Sequence, residues 1–177
     1  KDILEYLISK GANLNYIDMD EESLLDVAVR KNNYEMVEYL ISKGIKSDTD
    51  TLSTSLYYAI EKKSQIKIIK YLISKGADLR SSSLEGLISP IFQALKNKNY
   101  EVLEFLVNDE LDIYDLDANE NTPLDIAIYN KDYKAISLLL DKIQFENNKS
   151  FKSLFTLLMV NDSVSTNLFK EKLKSKF

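Results

Sequence analysis

Apolar residues fall along this chain in short bursts at helical spacing, separated by polar turns. Ile3, Leu4, Leu7 and Ile8 make the first stripe, and Gly11 ends it, as suits a residue that readily takes the left-handed conformation after a helix. Asn13-Leu14-Asn15 and the acidic residues Asp18, Asp20 and Glu21 then read as a connecting finger. Ser23 can cap a short helix through Leu24, Leu25, Val27 and Ala28, which should end near Lys31-Asn32-Asn33. A second helix carries Met36, Val37, Leu40 and Ile41 to Gly44. The order of turn, short helix, tight loop and longer helix returns at residues 54–76, 89–110 and 122–143.

The recurrence is literal in places. Tyr-Leu-Ile-Ser-Lys-Gly stands unchanged at residues 6–11, 39–44 and 71–76, so that its glycines lie 33 and 32 residues apart. One helix pair cannot bury its own apolar stripe, whereas a stack of pairs makes a core in which each touches only its neighbours. The pattern predicts an all-α solenoid of stacked helix-turn-helix units. Ala28, Ala59, Ala94 and Ala127 recur in the short helices, where a small side chain lets neighbouring helices approach.

Thr122-Pro123-Leu124-Asp125-Ile126-Ala127 resembles the Thr-Pro-Leu-His-x-Ala signature of the ankyrin repeat, and Ser89-Pro90-Ile91-Phe92-Gln93-Ala94 is a weaker copy. Residues 34–44 are similar to that family's second helix with its terminal glycine, and Gly76-Ala77-Asp78-Leu79 resembles the Gly-Ala-Asp-Val that follows. The resemblance implies an ankyrin-repeat solenoid over residues 1–149, its first unit lacking the first helix, with the parent chain expected to continue toward the amino terminus. Residues 150–177 are expected to form a degenerate pair of capping helices, near 153–160 and 164–173. The departures lie at the signature histidine, replaced by Asp26, Tyr57, Phe92 and Asp125, and at the terminal glycine, replaced by Glu110 and Ile143. The histidine's hydrogen bonding must be lost or remade by other groups.

Composition narrows the chemistry. With no cysteine and no histidine, the chain cannot build a disulfide, a Cys/His zinc site or an imidazole-dependent triad. A formal net charge of −5 lacks the basic footprint of a nucleic-acid binder. The longest apolar stretch, near Leu154 to Val160, is far shorter than the roughly 20 residues that span a bilayer. No phosphate loop is present, so no cofactor is expected. The pairs Asp18/Asp20, Asp48/Asp50 and Asp115/Asp117 recur where turns are needed and are read as turn residues, without a metal or catalytic role.

The resemblance implies binding of a partner protein on a concave surface made by fingers and first helices. Carried over by position, the finger candidates are Asp20, Glu22, Asp50, Asp117, Asn119 and Asn121, with Met19, Ser53 and Ala118 beside them. The first-helix candidates are Arg30, Lys31, Lys62, Lys96, Asn97 and Tyr129, whereas Tyr34, Tyr100 and Tyr133 sit where packing is expected. Acidic fingers and basic helix ends suit a partner with a basic surface, and equally suit the helix dipole. Two other readings stay open, an inhibitor or immunity-type protein blocking a basic enzyme and a regulatory repeat domain of a longer enzyme. A monomer is expected, cytoplasmic or delivered into a host cell.

Overall fold

The computed structural model describes residues 2–19, 22–78, 88–108, 113–143 and, toward the carboxyl end, 153, 156, 157 and 159–176. They divide into two compact units, Lys1–Leu87 and Ile88–Phe177. The first holds α1 (Asp2–Ser9), α2 (Leu24–Arg30), α3 (Tyr34–Ser42), α4 (Thr49–Glu61) and α5 (Ile66–Ser74). The second holds α6 (Pro90–Lys96), α7 (Tyr100–Asn108), α8 (Pro123–Tyr129), α9 (Tyr133–Leu140) and α10 (Ser163–Lys176). Ser153, Thr156, Leu157, Met159 and Val160 are helical as well. Among the described residues the extended pairing amounts to an isolated bridge between Ile17 and Ser23.

Each helix pair is closed by the same backbone device. The first helix of each pair ends with a left-handed residue, Asn32 (φ 55°), Lys63 (55°), Lys98 (52°) or Lys131 (51°). The next residue then donates its N–H to the carbonyl of the recurrent alanine: Asn33 to Ala28 (3.1 Å), Ser64 to Ala59 (2.8 Å), Asn99 to Ala94 (2.9 Å) and Asp132 to Ala127 (2.9 Å). This is a Schellman closure, which satisfies carbonyls that a helix end leaves bare. The long helices α1, α3 and α5 close in the same way with Gly11, Gly44 and Gly76 at positive φ. Lysine at such a place is harder to foresee, because its Cβ disfavours the left-handed region.

The new helix must start at once, and polar side chains supply the start. Asn33 accepts from Met36 N (3.0 Å), Asp132 from Ala135 N (3.1 Å), and Asp162 from Ser165 N (2.8 Å). Before α2 and α8 the cap is reciprocal. Ser23 and Asp26, and likewise Thr122 and Asp125, exchange side-chain and backbone bonds in a capping box. Asp125 is fully buried and Asp26 nearly so.

Apolar stripes meet between helices within each unit. In the first, α2 packs on α3 and α4, and α4 on α5. In the second, α6 packs on α7 and α8, α8 on α9, and α9 on both α7 and α10. Ala28, Ala59, Ala94 and Ala127 are all buried, as their size requires. Polar ties between repeats run beside this core. Asp26 Oδ1 accepts from Ser55 Oγ (2.6 Å), Asn32 Oδ1 from Gln65 N (2.8 Å), and Ser64 Oγ donates to Val29 O (3.2 Å). The aspartate at the signature histidine's place thus remakes the inter-repeat bond. In the second unit, Thr122 Oγ1 already donates to Asp125 Oδ2 (2.7 Å), so Ser153 Oγ is the donor across the 3.0 Å gap to Thr122 Oγ1.

The tyrosines at the head of the long helices are braces. Tyr100 Oη donates to Asp132 (3.1 Å), and burial followed by this bond holds its phenol above the usual range. Tyr133 Oη reaches Asp162 (3.4 Å). Lys67 Nζ lies 3.5 Å from the Tyr34 ring centroid, and Tyr34 meets Tyr71 edge-on at 5.5 Å.

One expectation is corrected, and one departure from the repeat pattern finds its structural form. The helix foreseen from residue 54 begins five residues earlier, because Asp48 caps α4 by accepting from Thr51 N (2.9 Å), so residues taken for a finger are helical. The pair that ends at Ile143 closes without a glycine: α9 stops at Leu140, Asp141 stays right-handed, and Ile143 is buried. The other non-glycine stop, Glu110, lies outside the described residues.

Asp48 is expected to make the start of α4 sensitive to acid. Hydrogen bonds from the Thr51 side chain, from Thr51 N–H and from Lys46 lower its carboxyl from 3.8 to about 2. Its contribution is therefore complete above the unfolded carboxylate range near pH ~4 and is lost as pH falls through about 2. Asp48→Ala is expected to flatten the loss of helicity across that interval while sparing neutral-pH folding. Superimposable acid titrations of the two proteins would contradict the assignment.

Candidate protein-binding surface

The fingers are built from their own carboxylates. In the first unit, Asp18 N–H donates to Glu22 O (3.0 Å) and Asp18 Oδ1 accepts Glu22 N–H (2.9 Å). In the second, Asp117 N–H donates to Asn121 O (3.0 Å), while Asp117 Oδ1 accepts from Asn119 N and Asn121 N, both at 2.8 Å. Asn121 Nδ2 adds a bond to Asp117 Oδ2 (3.2 Å), and Glu120 turns the chain at φ 60°. Each finger runs into a capping box, which fixes it to the start of α2 or α8.

Charges in this region are paired locally. Glu22 Oε1 lies 2.6 Å from Arg30 Nη1, joining the finger base to the end of the helix it precedes. Lys62 Nζ lies 3.2 Å from Glu61 Oε2, and Lys46 Nζ lies 3.1 Å from Asp48 Oδ2. Such exposed pairs are screened by solvent and add little to stability. Their effect here is to mute the alternation of acidic fingers and basic helix ends.

The expected contact residues separate into two groups. Lys31, Lys96, Asn119 and Tyr129 are exposed, with Asn119 on a finger and the others at or just beyond the ends of short helices. Glu22, Arg30, Lys62, Asp117 and Asn121 are committed to the bonds described above, and Asn97 is the half-buried cap of α6. Asp50 is exposed but sits in the first turn of α4, and its neighbour Ser53 is buried and accepts from Asp78 N (2.8 Å). Neither is a finger-tip residue. Asp20 lies outside the described residues.

Bare apolar groups also cluster on the fingers. Met19 is fully exposed at the first finger's tip, with Tyr16 at 63% and Ile17 at 56% beside it. Leu116 takes Ile17's place in the second finger and is 48% exposed, while Tyr129 is 54% exposed at the end of α8. Charge dominated the reading of the fingers in sequence. The available signal for Tyr16, Ile17 and Leu116 was apolar residues in a segment with no helical stripe to join.

The sequence model described as ankyrin repeats (3 copies) matches residues 1–83 and 56–150, most of the chain. The chain belongs to the ankyrin repeat family. Similar proteins include the ankyrin repeat protein FPV031 of fowlpox virus (strain NVSL), 28% identical over 152 residues. That alignment takes in 80% of this chain and 44% of the viral protein, so the chain spans less than half of its relative. Among solved structures, the human ASB11 ankyrin repeat domain superposes with a TM-score of 0.69, at 21% identity, over 96% of this chain and 77% of the other. That likeness supports the ankyrin fold alone. No helix among the described residues is long and apolar enough to cross a membrane.

The split between committed and exposed residues is measurable. Asp117→Ala removes the acceptor that holds the finger's amides and is expected to destabilise the second unit by about 0.5–1.5 kcal/mol. Lys96→Ala should stay within roughly 0.5 kcal/mol of the parent. Equal effects in chemical denaturation would contradict the division.

Proposed function

We propose that this ankyrin-repeat chain is a protein-protein interaction module whose contacts are made by its fingers and by the exposed ends of its short helices. Ankyrin repeats are in general scaffolds that bind other proteins. The observation that carries the finer reading is the apolar finger: a fully exposed Met19 beside half-bare Tyr16 and Ile17. Side chains of this kind, held on a hydrogen-bonded turn, bury well against a partner with little further ordering. Tyr129 adds an aromatic group in the second unit, and Lys31, Lys96 and Asn119 supply polar contacts.

Carboxylates have another explanation. Asp18 and Asp117 build turns, Asp26 and Asp125 build capping boxes, and Asp48 caps α4. Acidic character in the fingers thus follows from folding and does not by itself select a basic partner. This also weakens the motive for an inhibitor of a basic enzyme. The match to a poxvirus protein supports action inside a host cell as one setting for the module.

The test is capture from source and host lysates by the parent chain and by a variant with Met19, Lys31, Lys96, Asn119 and Tyr129 replaced by alanine. Loss of a captured protein with unchanged melting is the expected result. Equal recovery by both proteins would move the interaction to another surface.

A further inference from the structure

Serine or threonine followed three residues later by a carboxylate occurs at Ser23, Ser47, Ser82 and Thr122. That spacing has two chemical uses. It can build a capping box at a helix start, or it can present a hydroxyl with a trailing negative charge to a kinase whose substrate groove is basic. Ser82 lies outside the described residues, and the other three separate cleanly.

At Ser23 and Thr122 the hydroxyl and the carboxylate are both consumed. Ser23 Oγ donates to Asp26 Oδ2 (2.6 Å) and Thr122 Oγ1 to Asp125 Oδ2 (2.7 Å). Asp26 is 6% exposed, Asp125 0% and Thr122 2%. At Ser47 the same two groups face solvent. Ser47 and Asp50 are both exposed, and Ser47 lies in the irregular segment between α3 and α4. The cap of α4 is the next residue, Asp48, which accepts from Thr51 N (2.9 Å), so the Ser47 hydroxyl is left out of the helix start. Residues 46–50 are exposed throughout, and Asp48 sets a second carboxylate directly after the hydroxyl.

We propose that Ser47 is a phosphorylation site for a serine/threonine kinase that reads acidic residues after its acceptor. Ser47 Oγ attacks the γ-phosphorus of ATP, the bond from that phosphorus to the β,γ-bridging oxygen breaks to release ADP, and the hydroxyl proton passes to a carboxylate of the kinase. For Asp50 to be read in an extended segment the first turn of α4 has to open, and helix ends open at low free energy. The product places about two negative charges beside Lys46, whose N–H donates to Asn15 Oδ1 (2.6 Å) in the first finger. Tyr16 and Ile17 follow Asn15 directly, so the phosphate charges the border of the apolar patch proposed above for a partner. That consequence rests on the proposed function, whereas the modification itself does not.

The experiment incubates the full chain carrying Ser82→Ala with a purified acidic-directed serine/threonine kinase and magnesium ATP, and maps the phosphate by mass spectrometry. Ser47 should be phosphorylated while Ser23 and Thr122 stay unmodified in the folded chain, with Ser23 accepting phosphate in a peptide of residues 18–30 that lacks the folded capping box. Asp50→Asn should lower kcat/KM at Ser47 by roughly tenfold, the loss of one charge-assisted contact, with melting close to the parent's. Ser47 left unmodified, or modified no faster than Ser23 in the folded chain, would overturn the proposal, as would indifference to Asp50→Asn. These readouts need no captured partner, so they stand apart from the lysate capture that tests the finger.

Discussion

Every helix pair in this protein is amphipathic and too small to bury its own stripe, so the fold rests on apolar contact between neighbouring pairs. Full burial of a leucine or isoleucine contributes about 1.5–3 kcal/mol, and Leu56, Ile60, Ile68, Ile69 and Leu72 in the first unit are all essentially inaccessible. Ala28, Ala59, Ala94 and Ala127 are all buried, and their small side chains allow close approach within each unit. Those four alanines also accept, through their carbonyls, the hydrogen bond that closes the tight loop. Side-chain size and backbone closure are therefore tied to the same residue.

Polar groups specify the geometry that apolar contact stabilises. The serine or threonine of each capping box fixes where a short helix begins, and its aspartate then reaches outward, as Asp26 does to Ser55. The second unit uses the variant in which Ser153 donates to the capping threonine itself. Here Asp125 Oδ1 takes no donor among the described residues. The fingers follow the same economy, since their carboxylates hold turns before they can offer charge to anything else. What folding leaves exposed includes bare apolar side chains on the fingers and a few residues at helix ends, the groups proposed above for recognition.

Much of this was legible in the chain because the repeat is written at several levels at once. Stripe period, glycine stops and the Ser23 cap agreed, and the helix order followed. The start of α4 was misjudged because Asp48 sits in an acidic stretch that reads as a finger, and a cap differs from a turn only in what its oxygen accepts. Lys63, Lys98 and Lys131 gave no sign of a left-handed backbone, since their side chains disfavour it and only the loop's hydrogen bonds impose it. For the candidate surface, sequence located the fingers but could not separate Asp117, which holds its finger together, from Asn119, which is exposed beside it. That distinction depends on where the amides point.

The most direct test of the account is amide hydrogen exchange across the first unit in Ala59→Leu. Ala59 is fully buried in α4, which packs on both α2 and α5. If contact between pairs holds the fold, overpacking there costs about 1–3 kcal/mol, and protection should fall in α2 and α5 together, although neither sequence has changed. Protection unchanged outside α4, or unchanged throughout, would mean that each pair is stable in its own right and that the stacking described here is not what the structure depends on.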